Sequence, residues 1–269
     1  MKSKRNWIRF STIIALASAF FLFLSGVLAQ STPTGPNTLT VVNSTRYPQS
    51  NQSSYAVQAQ AGNVTELIIS QRRSTEAWQG YYGNITGTIT LDDANNQTLF
   101  DWSLPNPTGE IYAANDSTVD WTKVFCYNLS QNSSEGPACN PSGCGSTNTS
   151  AMELKFGINL SDHDGINETF NSTYTDATGF FVGSVNFNAA DGCSMANPFT
   201  DENSAAGWQE VMLSDNKSII FTSLVRDSQN AYRGGGADDK YDFQLLVLEN
   251  GHVGSELTTS TYYFFVELT

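Results

Sequence analysis

The sequence predicts an all-β protein, a β-sandwich of immunoglobulin-like or jelly-roll-like type, that follows an N-terminal signal helix. The chain is rich in Asn, Ser, Thr and Gly, with 12% aromatic and only 14% charged residues. That composition suits polar strands around an aromatic core. Short apolar runs recur between turn signals, and beyond the signal no segment has the apolar spacing of an amphipathic helix.

The first 29 residues are typical of an export signal. Four cations precede an apolar run from Ile13 to Leu28, and small residues occupy the −3 and −1 positions of a cleavage site after Ala29. Cleavage would change the formal net charge from −13 to −17. The alternative is an uncleaved anchor, which would then be the protein's contact with a membrane. The acidic balance argues against nucleic acid as a partner, because no basic patch could neutralise phosphates.

Asn-x-Ser/Thr triplets are the strongest sequence signal. With 24 Asn and 57 Ser plus Thr in 269 residues, chance gives about five triplets, and the chain has thirteen. We expect N-linked glycans at several of them, against the alternative that a polar surface collects such triplets by composition. The thirteen are Asn43, Asn51, Asn63, Asn84, Asn96, Asn115, Asn128, Asn132, Asn148, Asn159, Asn167, Asn171 and Asn216.

Strand phase is consistent with glycans at two of these sites. In segment 84–91 the apolar residues alternate with Asn84, and in segment 155–160 they alternate with Asn159. Because successive side chains of a strand point to opposite faces, both asparagines are predicted to face solvent.

The chain divides into a signal, a polar segment and a sandwich. The boundaries are 1–29 for the signal peptide, 30–58 for the Ser/Thr/Asn/Pro-rich segment and 59–269 for the sandwich. A Cys-containing loop at 126–150 could divide the sandwich into two packed β units, 59–125 and 151–269. The polar segment has two interpretations: a flexible stalk, or a donor strand centred on 38–42 that adds to the sheet edge of another copy.

Turn residues separate the predicted strands. The last strand has one wholly apolar face and one half-aromatic face, and its predicted neighbour in the sheet is 241–249. The half-aromatic face is either covered or used for contact. The predicted strands are 56–61, 64–71, 80–91, 97–103, 109–113, 152–160, 168–174, 179–188, 208–213, 218–226, 240–249 and 260–268.

Four cysteines in an exported chain predict two disulfides. They are Cys126, Cys139, Cys144 and Cys193, and three pairings are open. One of these closes a small loop between Cys139 and Cys144 and joins Cys126 to Cys193. Zinc binding is disfavoured, because only one short Cys–Cys spacing is present.

One acidic run is similar to a fragment of a calcium loop. Its candidate ligands are Asp162, Asp164, Asn167 and Glu168, with oxygen-bearing side chains around Gly165. The alternative is an ordinary Asp/Gly turn. Calcium is therefore the one cofactor that the sequence suggests.

Catalytic signals are missing from the sequence. No nucleophile elbow is present, and the two histidines, His163 and His252, lie in predicted loops. Acidic residues are plentiful, but the sequence singles out no carboxylate pair for glycoside hydrolysis. The tryptophans and Tyr81-Tyr82 are interpreted as core aromatics, with a sugar-stacking platform as the alternative. We therefore expect a non-enzymatic protein.

Two stretches of the chain carry a resemblance. The N-terminal one contains the runs Trp-Gln-Gly-Tyr-Tyr-Gly-Asn-Ile-Thr-Gly and Leu-Asp-Asp-Ala-Asn-Asn, and the C-terminal one ends in Thr-Tyr-Tyr-Phe-Phe-Val-Glu-Leu. Together, over most of 60–125 and 240–268, the chain resembles a group of exported, N-glycosylated, β-rich surface proteins of archaea. The resemblance implies an extracellular or cell-surface location, is compatible with subunits of filaments or coats, and implies no catalytic residues.

The sequence therefore predicts an extracellular glycoprotein that assembles with copies of itself into a filament or surface coat. Its predicted mechanism is pairing of strand edges, or strand donation from the segment before residue 60. The alternative function is an adhesin, a β-sandwich that recognises carbohydrate or a partner cell and is stabilised by calcium.

Overall fold

The structure is a computed structural model, and it describes a large part of the chain. The described residues are 32–46, 54–71, 74–104, 106–127, 129, 153–154, 156–159, 161–198, 208–226, 229–230, 240–249 and 259–268. The signal peptide lies outside these residues. Within them, no helix has the length and apolar character needed to cross a membrane.

The described chain is all-β, as predicted, and is built from fifteen strands in antiparallel sheets. A four-residue α-helix, α1, spans Ile166–Thr169. The strands are β1 Trp78–Gly83, β2 Gly87–Asp92, β3 Thr98–Leu104, β4 Gly109–Ala114, β5 Phe125–Cys126, β6 Ser172–Thr173, β7 Phe180–Val182, β8 Val185–Phe187, β9 Ser194–Ala196, β10 Glu210–Ser214, β11 Ile219–Leu224, β12 Gln229–Asn230, β13 Lys240–Tyr241, β14 Phe243–Leu248 and β15 Tyr263–Leu268.

A seven-stranded antiparallel sheet forms the centre of the fold. Its order is β15-β4-β11-β10-β9-β6, and β5 also pairs with β10. Strand β4, from the predicted unit 59–125, lies between β11 and β15, which come from the predicted unit 151–269. Every residue of β10 and β11 is buried, so this sheet is covered on both faces.

One face of the central sheet packs against a two-stranded ribbon made of β1 and β14. Met212 of β10 and Phe221 of β11 share a core with Leu245 and Val247 of β14. The same core includes Phe170, next to α1. This arrangement is a sandwich of unequal sheets, in which the smaller sheet covers the middle of the larger one.

The other face is covered by the β7–β8 hairpin. Val211, Ile220 and Tyr112 of the central sheet share a second core with Phe180 and Phe187 of the hairpin. Gly179 precedes the hairpin with φ of 78°. A Cβ there would lie 2.2 Å from the Phe187 carbonyl oxygen, so the close approach requires glycine.

A disulfide joins Cys126 of β5 to Cys193, just before β9. The two Cα atoms are 4.8 Å apart, and the bridge spans 67 positions of the sequence. This pairing is one of those that the sequence left open. Cys139 and Cys144 lie outside the described residues.

Several predicted strands are wrong. Residues 56–61 and 64–71 form no strand and are exposed, with Val64 101% and Ile68 95% exposed. A strand needs a neighbouring ladder to be stable, and within the described residues these two segments have none. The predicted strand 80–91 is two strands, because β1 pairs with β14 while β2 pairs with β3.

The predictions around residue 160 are also corrected. The described parts of 152–160 are helical at 153–154 and then a turn, and 168–174 contains the end of α1 and the two-residue β6. Local hydrogen bonds form this turn, because the Phe156 and Ile158 N–H groups donate to the Glu153 carbonyl at 3.1 and 2.8 Å. The predicted burial is nevertheless correct for Phe156 and Ile158.

The last strand pairs with β4 and not with the predicted 241–249 segment. Its apolar face is core, as predicted, because Phe264 packs on the first core. Its half-aromatic face is mostly covered, since Phe265 contacts Trp121 at a ring-centroid distance of 5.1 Å and Glu267 is buried.

We expect removal of the described disulfide to destabilise the fold. Replacing Cys126 and Cys193 by Ala should lower the free energy of unfolding by about 4 kcal/mol, because the bridge constrains a long loop of the unfolded chain. Urea unfolding followed by tryptophan fluorescence measures this. In the matched control, Cys139 and Cys144 are replaced by Ala, and their short separation predicts a smaller loss. Equal losses in the two variants would contradict the assignment.

Candidate functional site

The outer edge of β15 is the first candidate site, and a single residue of the N-terminal segment pairs with it. Thr34 forms an isolated antiparallel bridge with Val266. The Thr34 N–H donates to the Val266 carbonyl at 3.2 Å, and the Val266 N–H donates to the Thr34 carbonyl at 2.8 Å. The backbone groups of Val266 therefore point away from β4.

Proline prevents this bridge from growing into a longer ladder. Antiparallel hydrogen-bonded pairs recur every second residue, so the pair that would follow Thr34–Val266 is Pro36 with Phe264. Proline has no N–H to donate to the Phe264 carbonyl. Among the described residues, no backbone hydrogen bond joins segment 35–46 to Phe264. The same chain therefore leaves part of the β15 edge open.

The segment that follows Pro36 is exposed although it carries strand-forming residues. Leu39, Val41 and Val42 are 56%, 73% and 93% exposed, and the described residues 35–46 form no strand. These are the apolar residues of the predicted donor strand 38–42. Within the described part of the chain, these side chains belong to neither hydrophobic core.

The β2–β3 hairpin also exposes an apolar face. Cross-strand neighbours place Ile89 beside Trp102 and Leu91 beside Phe100, and these side chains are 49–56% exposed. The burial that this alternation implies for Ile89 and Leu91 is therefore wrong. Among the described strands, β2 and β3 pair only with each other. The base of the hairpin lies against β15, since a Cβ on Gly87 would be 2.6 Å from Leu268 Cδ1.

Nine of the predicted glycosylation sites lie within the described residues. Asn115 and Asn216 are half-buried. Asn51, Asn128, Asn132 and Asn148 lie outside the described residues. The exposed asparagines, consistent with the prediction, are Asn43, Asn63, Asn84, Asn96, Asn159, Asn167 and Asn171.

Two of these asparagines lie in left-handed turns. Asn96 has φ of 59° in the β2–β3 turn, and Asn216 has φ of 72° in the β10–β11 turn. Asn is one of the few residues other than glycine that tolerate this conformation. The Oδ1 atom of Asn216 is buried without a hydrogen-bond partner, so this amide has less room for a sugar than the exposed ones.

Two of the predicted calcium ligands accept hydrogen bonds from neighbouring residues. Asp162 Oδ2 accepts a hydrogen bond from the Asn159 N–H at 2.9 Å, and Asp164 Oδ2 accepts one from the Thr75 hydroxyl at 2.6 Å. Asn167 and Glu168 are exposed on α1. No group of three or more His, Cys, Asp or Glu residues in the described part of the chain could hold a metal ion. The carboxylates are used to order the loop.

The tryptophans do not form a common platform. Trp208 is fully buried, Trp78 packs against Phe170 and Phe221, and Trp121 lies between Tyr112 and Phe265. These three are core aromatics, which favours the core interpretation for them. Trp102 is the exception, because it is exposed on the β2–β3 hairpin.

A pair of buried carboxyls forms the second candidate site, which the sequence did not single out. Glu110 of β4 and Glu267 of β15 are cross-strand partners and are only 6% and 3% exposed. Glu267 Oε2 accepts hydrogen bonds from the Gly183 N–H at 2.9 Å and from the Tyr112 hydroxyl at 3.4 Å. Glu110 Oε2 has no hydrogen-bond partner in the described part of the protein.

Burial decides the protonation of this pair. Removal from water, together with the adjacent Glu267 carboxyl, raises the pKa of Glu110 to about 8. Burial also raises the pKa of Glu267, and its hydrogen bonds from Gly183 and Tyr112 oppose that rise. Glu110 is therefore the protonated member at neutral pH.

Other buried glutamates follow the same rule. Glu210 of β10 is completely buried, and burial raises its pKa well above the ordinary value, although the Leu246 N–H donates to its Oε2 at 2.8 Å. Burial also raises the pKa of Glu153. Sequence periodicity did not predict the burial of these residues, since a Glu within a predicted strand is assigned to the solvent-facing side.

Comparisons with known proteins give no further assignment. No family model, curated protein or solved structure matches the chain.

We expect Glu110 to make the protein lose stability as the pH rises from 4.5 to 8. The folded state keeps a proton on Glu110 that the unfolded chain releases near its ordinary pKa of 4.5. The contribution of Glu110 to the free energy of unfolding should therefore be complete below pH 4.5 and fall as the pH rises to about 8, by on the order of 3 kcal/mol. Urea unfolding at several pH values measures the slope.

The variant Glu110→Gln tests whether Glu110 causes this pH dependence of the free energy of unfolding. Glutamine imitates the protonated carboxyl, so the slope between pH 4.5 and 8 should become smaller. Glu66→Gln, in the exposed segment 64–71, is the matched control and should keep the slope. An unchanged slope in Glu110→Gln would show that other groups set the pH dependence.

We also expect glycan occupancy to follow exposure. Asn63, Asn84 and Asn159 should carry glycans in a larger fraction of molecules than Asn216, because the Asn216 side chain is half-buried in a tight turn. Mass spectrometry of glycopeptides from the protein purified from its native source measures the occupied fraction at each site. High occupancy at Asn216 with empty exposed sites would contradict this order.

Proposed function

We propose that this protein is an extracellular, N-glycosylated structural protein that assembles with copies of itself into a filament or surface coat. The observation that carries the proposal is the bridge between Thr34 and Val266, which stops at Pro36 and leaves the β15 edge open beside an exposed strand-forming segment. The resemblance to archaeal surface proteins agrees with this function.

Export is supported by three independent features. The N-terminal segment has the pattern of a cleaved signal. The Cys126–Cys193 disulfide is typical of proteins that fold in an oxidising compartment. Seven sequon asparagines are exposed on the described surface, where glycans could be attached without disturbing the core.

Strand donation is the proposed mode of assembly. Segment 38–42 of one copy pairs with the β15 edge of a second copy, next to Phe264, where the chain's own Pro36 cannot donate a hydrogen bond. The donated strand satisfies edge groups and buries Leu39, Val41 and Val42, each of which is worth about 1.5–3 kcal/mol when fully buried. Because the exchange is head-to-tail, it generates an open chain of subunits.

The β2–β3 hairpin provides a second contact in the same region. Its apolar face of Ile89, Leu91, Phe100 and Trp102 is continuous with the end of β15, because Gly87 lies against Leu268. Exposed apolar patches of this kind are typical of interaction surfaces. In the proposed assembly the second copy covers this face when its donor segment is in place.

Replacing the apolar residues of the donor segment should abolish assembly and leave the monomer folded. In the variant Leu39→Ser, Val41→Ser, Val42→Ser, the changed side chains are exposed in the monomer, so circular dichroism and the thermal midpoint should not change. Electron microscopy and sedimentation velocity of the purified mature protein should show polymers for the unmodified chain and monomers for the variant.

The control for this experiment is Leu154→Ser. Leu154 is 67% exposed and lies outside both proposed contacts, so this variant should still form polymers. Polymers of the triple variant would refute strand donation. A strictly monomeric unmodified protein would refute self-assembly altogether.

A further inference from the structure

A cleft opens where the start of β4, the end of β11 and the β7–β8 hairpin meet. Its volume is about 300 Å³, and its lining includes Glu110, Tyr174, Asp176, Phe181 and Arg226. This volume is at the lower end of the range for small-molecule sites. The cleft belongs to neither contact of the proposed assembly.

Two polar side-chain atoms in the cleft wall lack hydrogen-bond partners in the described structure. Glu110 is 94% buried and its Oε2 makes no hydrogen bond, and the buried Nε of Arg226 makes none either, within the part of the chain that the structure describes. The Arg226 guanidinium is held in place, because its Nη2 donates to Gln209 Oε1 at 2.8 Å. Buried groups without partners are costly, so a ligand that supplies both hydrogen bonds would be favoured.

The charge of the cleft suits a neutral ligand. Glu110 is protonated at neutral pH, since burial and Glu267 raise its pKa to about 8. Burial, followed by the charge of Asp176, raises the pKa of Tyr174 to about 12, so its hydroxyl also stays neutral. The remaining charges, on Asp176 and Arg226, have opposite signs. A phosphate or carboxylate would meet Asp176, and a metal ion would meet Arg226.

The cleft also has an apolar wall. Phe180 is buried behind it, and Phe181 is 41% exposed at its opening. Leu224 adds an aliphatic surface. Sugar rings combine hydroxyl groups at their edges with C–H faces that pack on apolar and aromatic side chains. A neutral sugar therefore matches both the polar and the apolar parts of the lining.

We propose that this cleft binds one neutral sugar residue. One sugar hydroxyl forms a hydrogen bond with Glu110 Oε2, and a second sugar oxygen accepts the Arg226 Nε hydrogen bond. The C–H face of the ring packs against Phe181. The ligand is either a free saccharide or a residue of an N-linked glycan, which share this chemistry.

Saturation-transfer NMR and calorimetry test the site directly. The probes are the methyl glycosides of mannose, glucose and galactose, added to the mature protein produced without glycans. At least one probe should bind saturably. Arg226→Gln should weaken that binding about tenfold, which corresponds to the loss of one hydrogen bond from a charged group.

Matched variants separate binding from folding. Lys123→Gln removes the same charge at an exposed position that does not line the cleft, and it should not change the affinity. If Arg226→Gln fails to fold, Phe181→Ala provides the test, because Phe181 is partly exposed. That variant should also weaken binding while keeping the thermal midpoint.

The outcomes decide the proposal and the source of the ligand. Weaker probe binding by the natively glycosylated protein than by the glycan-free protein supports occupation by the protein's own glycans, and equal binding supports a free saccharide. The proposal is overturned if no methyl glycoside binds, if Arg226→Gln and Phe181→Ala both bind as the unmodified protein does, or if a crystal soaked in the probes shows ordered water only. None of these outcomes depends on whether the protein forms polymers.

Discussion

The burial of both faces of the central sheet is the constraint on which the rest of this structure depends. Strands β10 and β11 have no exposed residue, so each needs an apolar cover above and below. The β1–β14 ribbon supplies one cover and the β7–β8 hairpin supplies the other. The Cys126–Cys193 bridge joins β5 to the residue before β9, and both of these strands pair with β10.

The same constraint explains the unusual chemistry of the glutamates. Once both faces are covered, a carboxyl near the end of a central strand cannot reach bulk water. Glu110, Glu267 and Glu210 therefore have raised pKa values, with burial as the largest cause for each. Of these glutamates, Glu110 lines the cleft described above.

The central strands of the sheet are covered on both faces, whereas the outer edge of β15 is only partly paired in the described structure. Strands β4, β10 and β11 pair with neighbouring strands on both sides, whereas β15 receives one bridging residue on its outer side in the described structure. Natural proteins usually block exposed strand edges, because an open edge pairs with other chains. Here Pro36 stops the chain's own ladder and leaves strand-forming residues exposed close by. The proposed assembly gives both features a common purpose.

Sequence alone determined the fold class and the local features. Alternating and continuous apolar runs predicted strands such as β10, β11 and β15, because side-chain periodicity follows directly from backbone geometry. The even count of cysteines predicted disulfides, and strand phase predicted that Asn84 and Asn159 face solvent. Each of these inferences uses residues that are close in the chain.

Tertiary structure alone decided which strands meet. The sequence could not show that β15 pairs with β4 and not with 241–249, because partner choice depends on which apolar faces are left to cover. Ile89 and Leu91 alternate as core residues do, yet in the described part of the chain they are exposed. Glu110 and Glu267 are 157 positions apart, and only the register of two neighbouring strands brings them together. A pattern along the chain encodes which side of a strand is apolar, and long-range packing decides what covers it.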